Sequence, residues 1–140
     1  MEDNKNTILL FDDDQFQIEL AYQACEQCVP ALQLIVVRDG ADAMELFLQM
    51  KKTNAPLPKL VLMNLKLPQF IGLAVVRRLR MDESTLALPI IAYSKKYEPR
   101  DVLLSYQAGA TRFVNRPDNM DQFNSLLDDL SVYWGDVKIP

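Results

Sequence analysis

The sequence predicts an α/β fold, a five-stranded parallel sheet wound on both faces by helices. Three features predict it. Five short apolar runs alternate with five longer runs of helical periodicity. The third apolar run, LVLM at 60–63, lacks polar alternation, as strands covered on both faces do. Polar and charged residues gather directly after four of the strands, the end at which such sheets hold their ligands.

Thr7–Phe11 (TILLF) reads as the first strand and Gln15–Cys28 as the first helix, with Asp14 placed to cap it. Leu32–Val37 is the second strand. A helix from Ala41 to about Lys51 then points Met44, Phe47 and Leu48 inward, and Lys52–Lys59, with Pro56 and Pro58, forms the longest loop. Leu60–Met63 is the third strand, followed by a helix from about Gly72 to Arg80. Pro89–Tyr93 (PIIAY) is the fourth strand. Pro99–Ala108 is a short helix stopped by Gly109, a residue suited to a left-handed cap. Arg112–Asn115 is the last strand. Asn119–Trp134 reads as one helix, with Met120, Phe123, Leu126, Leu127, Leu130 and Trp134 at i, i+3, i+4 spacing. Residues 1–134 thus read as one domain and 135–140 as a short tail, with no internal repeat.

Composition narrows the chemistry. The chain has 140 residues, 49% hydrophobic and 24% charged, with formal charge −4, which suits one compact domain. No apolar run is long enough to span a bilayer, and Met1–Asn6 is too polar for a secretory signal, so a cytoplasmic location is expected. An acidic chain without a basic stripe is not expected to bind nucleic acid. The absence of histidine removes Ser/His and Cys/His hydrolase schemes. Cys25 and Cys28 form a C-x-x-C pair, but they lie late in a helix on the stripe shared by Ala21 and Ala24. Buried, reduced thiols are the expected reading rather than a redox or zinc pair.

The strand ends carry the candidate site. Asp12, Asp13 and Asp14 follow the first strand, Asn64-Leu65-Lys66-Leu67-Pro68 the third, Ser94-Lys95-Lys96 the fourth, and Asn115-Arg116-Pro117 closes the fifth. Adjacent carboxylates repel one another, so Asp12 and Asp13 together suggest a cation site or the relic of one.

These residues resemble the receiver domain of two-component response regulators. ILLFDDD is similar to that family's first strand and acidic pair, LVLMNLKLP to its third strand and phosphoacceptor loop, PIIAYS to its switch-hydroxyl strand, and GATRFVNRP to its last strand. Thirty residues separate Asn64 from Ser94 and twenty-two separate Ser94 from Arg116, as in chemotaxis-type single-domain regulators. The ending is most like small stand-alone regulators that partner phytochrome-type kinases. The resemblance implies a flavodoxin-like (βα)5 fold with strand order 2-1-3-4-5. It also implies a Mg²⁺ held by acids at Asp12, Asp13 and position 64, a phosphoacceptor at 64, switch residues Ser94 and Phe113, and a cation at 116.

Two departures fall on that chemistry. The phosphoacceptor position is Asn64, and the lysine position is Arg116. A carboxylate is an anionic nucleophile that forms an acyl phosphate, whereas an amide oxygen is neutral. The lost charge, about 4 Å from a cation, is worth on the order of 4 kcal/mol at an effective dielectric of about 20. Mg²⁺ binding is therefore expected to be weak or absent, with no cofactor required. The planar fork of Arg116 is expected to bridge two acceptors, such as an Asp carboxylate and the Asn64 carbonyl. A third departure is Lys95, where receivers carry a small residue. Lys95 or Lys66 is a candidate internal cation over Asp12 and Asp13.

The leading expectation is an atypical receiver acting through protein contacts, with a sensor histidine kinase or other signalling protein as partner and no enzymatic activity. Tyr97, Tyr106, Phe113, Tyr133 and Trp134 are candidate interface aromatics, and the last helix and tail are candidates for homodimer formation. Two alternatives stand beside it: a conventional receiver retaining weak Mg²⁺-dependent phosphorylation, and a haloacid-dehalogenase-type phosphatase using Asp12 as nucleophile and Asp14 as acid/base.

Overall fold

A computed structural model of the chain describes residues 6–65, 67, 71–134 and 137–140. Five parallel strands, β1 (Thr7–Phe11), β2 (Gln33–Val37), β3 (Leu60–Asn64), β4 (Ile90–Ser94) and β5 (Arg112–Asn115), form one sheet in the order β2-β1-β3-β4-β5. The helices are α1 (Gln15–Gln27), α2 (Gly40–Thr53), α3 (Ile71–Leu79), α4 (Pro99–Ala108) and α5 (Met120–Asp129). This is the doubly wound, flavodoxin-like arrangement expected from the sequence. No helix among the described residues is long and apolar enough to cross a membrane.

Strand alternation divides the interior into two cores. Leu9, Phe11, Val61, Met63, Ile90 and Ala92 face one core, together with α2 and α3. Ile8, Leu10, Leu60, Leu62, Ile91 and Tyr93 face the other, with α1 and α5. β1, β3 and β4 are buried along nearly their whole length, which explains their unbroken apolar runs.

Local chemistry sets the helix ends. Asp14, Asp39 and Asn119 cap α1, α2 and α5, their side chains accepting from the N–H groups of Phe16, Asp42 and Gln122. Pro99 opens α4 behind a reciprocal Glu98–Asp101 capping box. Gly72, near the start of α3, lies against the end of β3. A Cβ there would come within 2.9 Å of the Leu65 carbonyl oxygen and 3.1 Å of that of Asn64. Glycine at this point lets α3 begin directly behind the candidate site.

Several element boundaries differ from the sequence reading, most by one or two residues. β3 and β4 each run one residue further, so Asn64 and Ser94 are the last residues of their strands. α2 extends to Thr53 and is closed by Asn54 in the left-handed region, φ 56°. The last helix ends at Asp129 and not at Trp134: Ser131–Tyr133 tighten into a 3-10 turn, with Tyr133 N–H donating to the Leu130 carbonyl. That turn carries the Trp134 ring into the α1/α5 core. In the tail, Val29 and Lys138 exchange two backbone hydrogen bonds, 3.0 and 2.8 Å, while Val137 and Ile139 pack against the same core. Cys25 and Cys28 are buried free thiols. Burial, helped by the neighbouring Cys28 and Glu26, pushes the Cys25 thiol up to about 12, leaving it inert rather than redox-active.

Candidate functional site

Register brings the site together. Phe11 pairs with Met63, so Asp12, one residue on, falls beside Asn64, and Asn64 in turn pairs with Tyr93. All three belong to the α1/α5 face by strand parity. Asp12 is fully buried. The Asn64 side-chain amide donates to Asp12 Oδ1 at 3.2 Å, and the backbone N–H of Asp14 donates to the same oxygen at 3.1 Å. The Tyr93 hydroxyl reaches over β3 and donates to Asp12 Oδ2. Both oxygens of this buried carboxylate thus meet hydrogen-bond donors. Burial comes first, then the charge of Asp12 and the hydrogen bond to it, in holding the Tyr93 phenol well above its ordinary range.

A second cluster lies next to the first. Arg116 donates from Nε to Gln17 Oε1 at 3.0 Å and from Nη2 to Asp14 Oδ2 at 2.7 Å, with Asp118 further off at 3.9 Å. The fork does bridge two acceptors, but the amide it takes is Gln17 on α1, in place of the expected Asn64. Chain geometry gives the reason: Asp14 caps α1 and Gln17 lies in its first turn. The hydrogen bond and charge of Arg116, with the N–H groups of Phe16 and Gln17, outweigh burial and lower the Asp14 carboxyl below its ordinary value.

The other expected positions are dispersed. Asp13 is exposed, as alternation past the strand end requires when Asp12 turns inward. Lys95 and Lys96 are exposed, and the donors on Asp12 are an amide, a peptide N–H and a phenol rather than the Lys95 ammonium. Lys66 lies outside the described residues. Ser94 is buried, and its hydroxyl donates to the Lys96 carbonyl at 3.0 Å. Phe113 is half-buried, edge-to-face on Tyr97 with ring centroids 4.7 Å apart. The Tyr97 hydroxyl bonds Asn115 Oδ1, and the Tyr106 hydroxyl accepts from Phe113 N–H at 3.1 Å.

The donor set around Asp12 does not fit the Mg²⁺ that the resemblance implies. Mg²⁺ needs oxygen lone pairs converging on one point, and here the Asp12 lone pairs are turned to N–H and O–H groups. No cluster of three or more acidic, histidine or cysteine side chains suited to a metal occurs among the described residues. The geometry gives the phosphatase alternative no support. α1 begins at Gln15, leaving no room for a flap, and the proposed nucleophile Asp12 is sealed in the interior.

Sequence reasoning did not single out Tyr93 or Gln17, though each carries a signal. Tyr93 is the one polar-tipped residue inside an otherwise aliphatic run, and a buried phenol needs a partner. Gln17 sits on the core stripe of α1 that continues through Ala21, Ala24 and Cys28, where a polar residue must be held by something.

Comparison with known proteins agrees with the fold. Residues 8–128 match the response regulator receiver domain. Response regulator Rcp1 of Synechocystis sp. is 25% identical over 139 residues, spanning 96% of this chain and 94% of its own. The crystal structure of the Mn(2+)-bound form of Rcp1 superposes with a TM-score of 0.76 at 26% identity, covering 96% of this chain and 99% of that one. The bacteriophytochrome response regulator AtBRR superposes with a TM-score of 0.72 at 30% identity, covering 94% and 96%. With its strand order and a match across most of its length, this chain belongs to the response regulator receiver domain family of two-component signalling.

Proposed function

We propose that this chain is an atypical receiver that works through protein contacts, without aspartyl phosphorylation at position 64 and without a required Mg²⁺. One observation carries the reading: the side chain at 64 donates an N–H to Asp12. An ionised carboxylate there would only accept, and it would repel Asp12. The neutral amide therefore turns a repulsive acidic pair into a hydrogen-bonded one. Ser94 and Arg116 support the same reading, because the hydroxyl is bonded to Lys96 and the guanidinium to Asp14 and Gln17.

The partner face in this reading is built from α4 and β5. Tyr97, Leu103 and Tyr106 are exposed there, and Tyr97 and Tyr106 also hold Phe113 and Asn115. In this reading the Tyr97 ring holds Phe113 in the orientation seen, and the face is presented constantly rather than switched. A sensor histidine kinase or another signalling protein is the partner class, met in the cytoplasm. A homodimer would use this face and α5, since the tail backbone is engaged by Val29 of its own chain.

The test is phosphorylation followed by peptide mass mapping. Incubated with Mg²⁺ and a small acyl-phosphate donor, the native chain gains no phosphoryl mass on the peptide containing residue 64. A phosphoryl adduct mapped to that side chain would overturn the reading.

A further inference from the structure

We propose that Tyr93 is a second lock on the acidic site, independent of Asn64: its hydroxyl holds Oδ2 of Asp12 toward the α1/α5 core, so a carboxylate restored at position 64 does not alone restore cation binding. The inference rests on the reading of position 64 given above and extends it to a residue one strand away.

The geometry separates the two locks. Asn64 acts on Oδ1 of Asp12 and Tyr93 on Oδ2. Asn64→Asp removes the donor on Oδ1 and supplies a further acid beside Asp12 and Asp13. It leaves the phenol on Oδ2 untouched. Tyr93 cannot readily withdraw, because it is among the largest fully buried side chains of the molecule and shares its core with Phe123 and Leu127. Swinging the ring out would leave a void at native packing density. A cation that draws the Asp12 carboxylate out of this arrangement must therefore break a hydrogen bond to a charged acceptor, made by a group with no alternative place to go.

The competing account is that Tyr93 is only a core residue whose hydroxyl found the nearest acceptor. Metal affinity distinguishes the two. Tyr93→Phe removes one oxygen and keeps the ring, so the core stays filled. Mn²⁺ alone serves as the probe, its free concentration read by electron paramagnetic resonance, with the Mn²⁺-induced rise in Tm as a second readout. The native chain, Tyr93→Phe, Asn64→Asp and the double variant are compared. The double variant is expected to bind Mn²⁺ about ten- to a hundredfold more tightly than Asn64→Asp, the factor that one hydrogen bond to a charged group carries. Equal affinity of Asn64→Asp and the double variant would overturn the proposal, and so would absence of binding in both. Tyr93→Leu in the same background guards against a folding defect specific to phenylalanine and is expected to show the same gain. Either failure leaves the proposed function standing, since that falls only if the native chain is phosphorylated at residue 64.

Discussion

Arg116 shows what the replacement of a lysine by a planar fork does at this site. A lysine ammonium could reach Asp14 or Gln17 but could not hold both in fixed directions. The Arg116 side chain is only 9% exposed, and Gln17 is fully buried with its Nε2 lacking a partner among the described residues. Removing the guanidinium would therefore strand the Gln17 oxygen as well. Arg116→Ala is expected to lower unfolding free energy by about 1–3 kcal/mol and Arg116→Lys by less, as measured in urea. Part of that loss depends on pH. The Asp14 carboxyl is lowered in the folded state from its ordinary 3.8, so below that value the unfolded chain binds more protons than the native one. Its contribution is complete well above 3.8 and disappears as pH falls through the lowered folded value. With the Asp14 side chain 37% exposed, solvent screening keeps this part below about 1 kcal/mol. Stability curves of native chain and Arg116→Ala should accordingly converge by that amount on acidification, and a constant gap would show that the ion pair contributes nothing. The positions of Asp12, Asn64 and Arg116 were legible in the sequence because strand ends are. Their partners were not, since hydrogen bonding across 81 residues between Tyr93 and Asp12 has no local trace.

At the scale of elements, the strands were readable from continuous apolar runs and the start of α1 from its cap, Asp14. The end of the last helix was not. Trp134 keeps the i+4 spacing from Leu130, and periodicity alone cannot tell a helix from a turn that delivers the same ring to the same core. The connection between α3 and β5 likewise depends on one long-range clamp. Arg80 donates from Nε to the Gly109 carbonyl at 2.8 Å and from Nη1 to the carbonyls of Thr85 and Leu86 at 3.0 and 3.1 Å. Gly109 stops α4 at φ 118°, and a Cβ on it would come within 2.5 Å of Arg80 Cγ. Backbone strain and this collision add, so Gly109→Ala should cost about 1–3 kcal/mol. The loss should localise: hydrogen exchange is expected to rise in α4 and β5, the proposed partner face, before it rises in β1 or β3. Uniform exchange across the sheet would show that Gly109 acts on global stability alone.

For the molecule as a whole, the sheet has two open edges, β2 and β5, and two cores that close at different places. The core under α1 and α5 is finished by the tail. Lys138 pairs with Val29 in the connection after α1, while Val137 and Ile139 cover apolar side chains below it. A tail free to pair with a second copy would have to give up these two backbone hydrogen bonds and expose that surface. Self-association through the tail therefore competes with the fold. Truncation removing residues 137–140 should lower unfolding free energy by about 1–3 kcal/mol, the scale of partly burying two branched aliphatic side chains. Sedimentation of native and truncated chains at equal concentration is expected to give the same oligomeric state. A dimer of the native chain that dissociates on truncation would show instead that the tail serves a second copy.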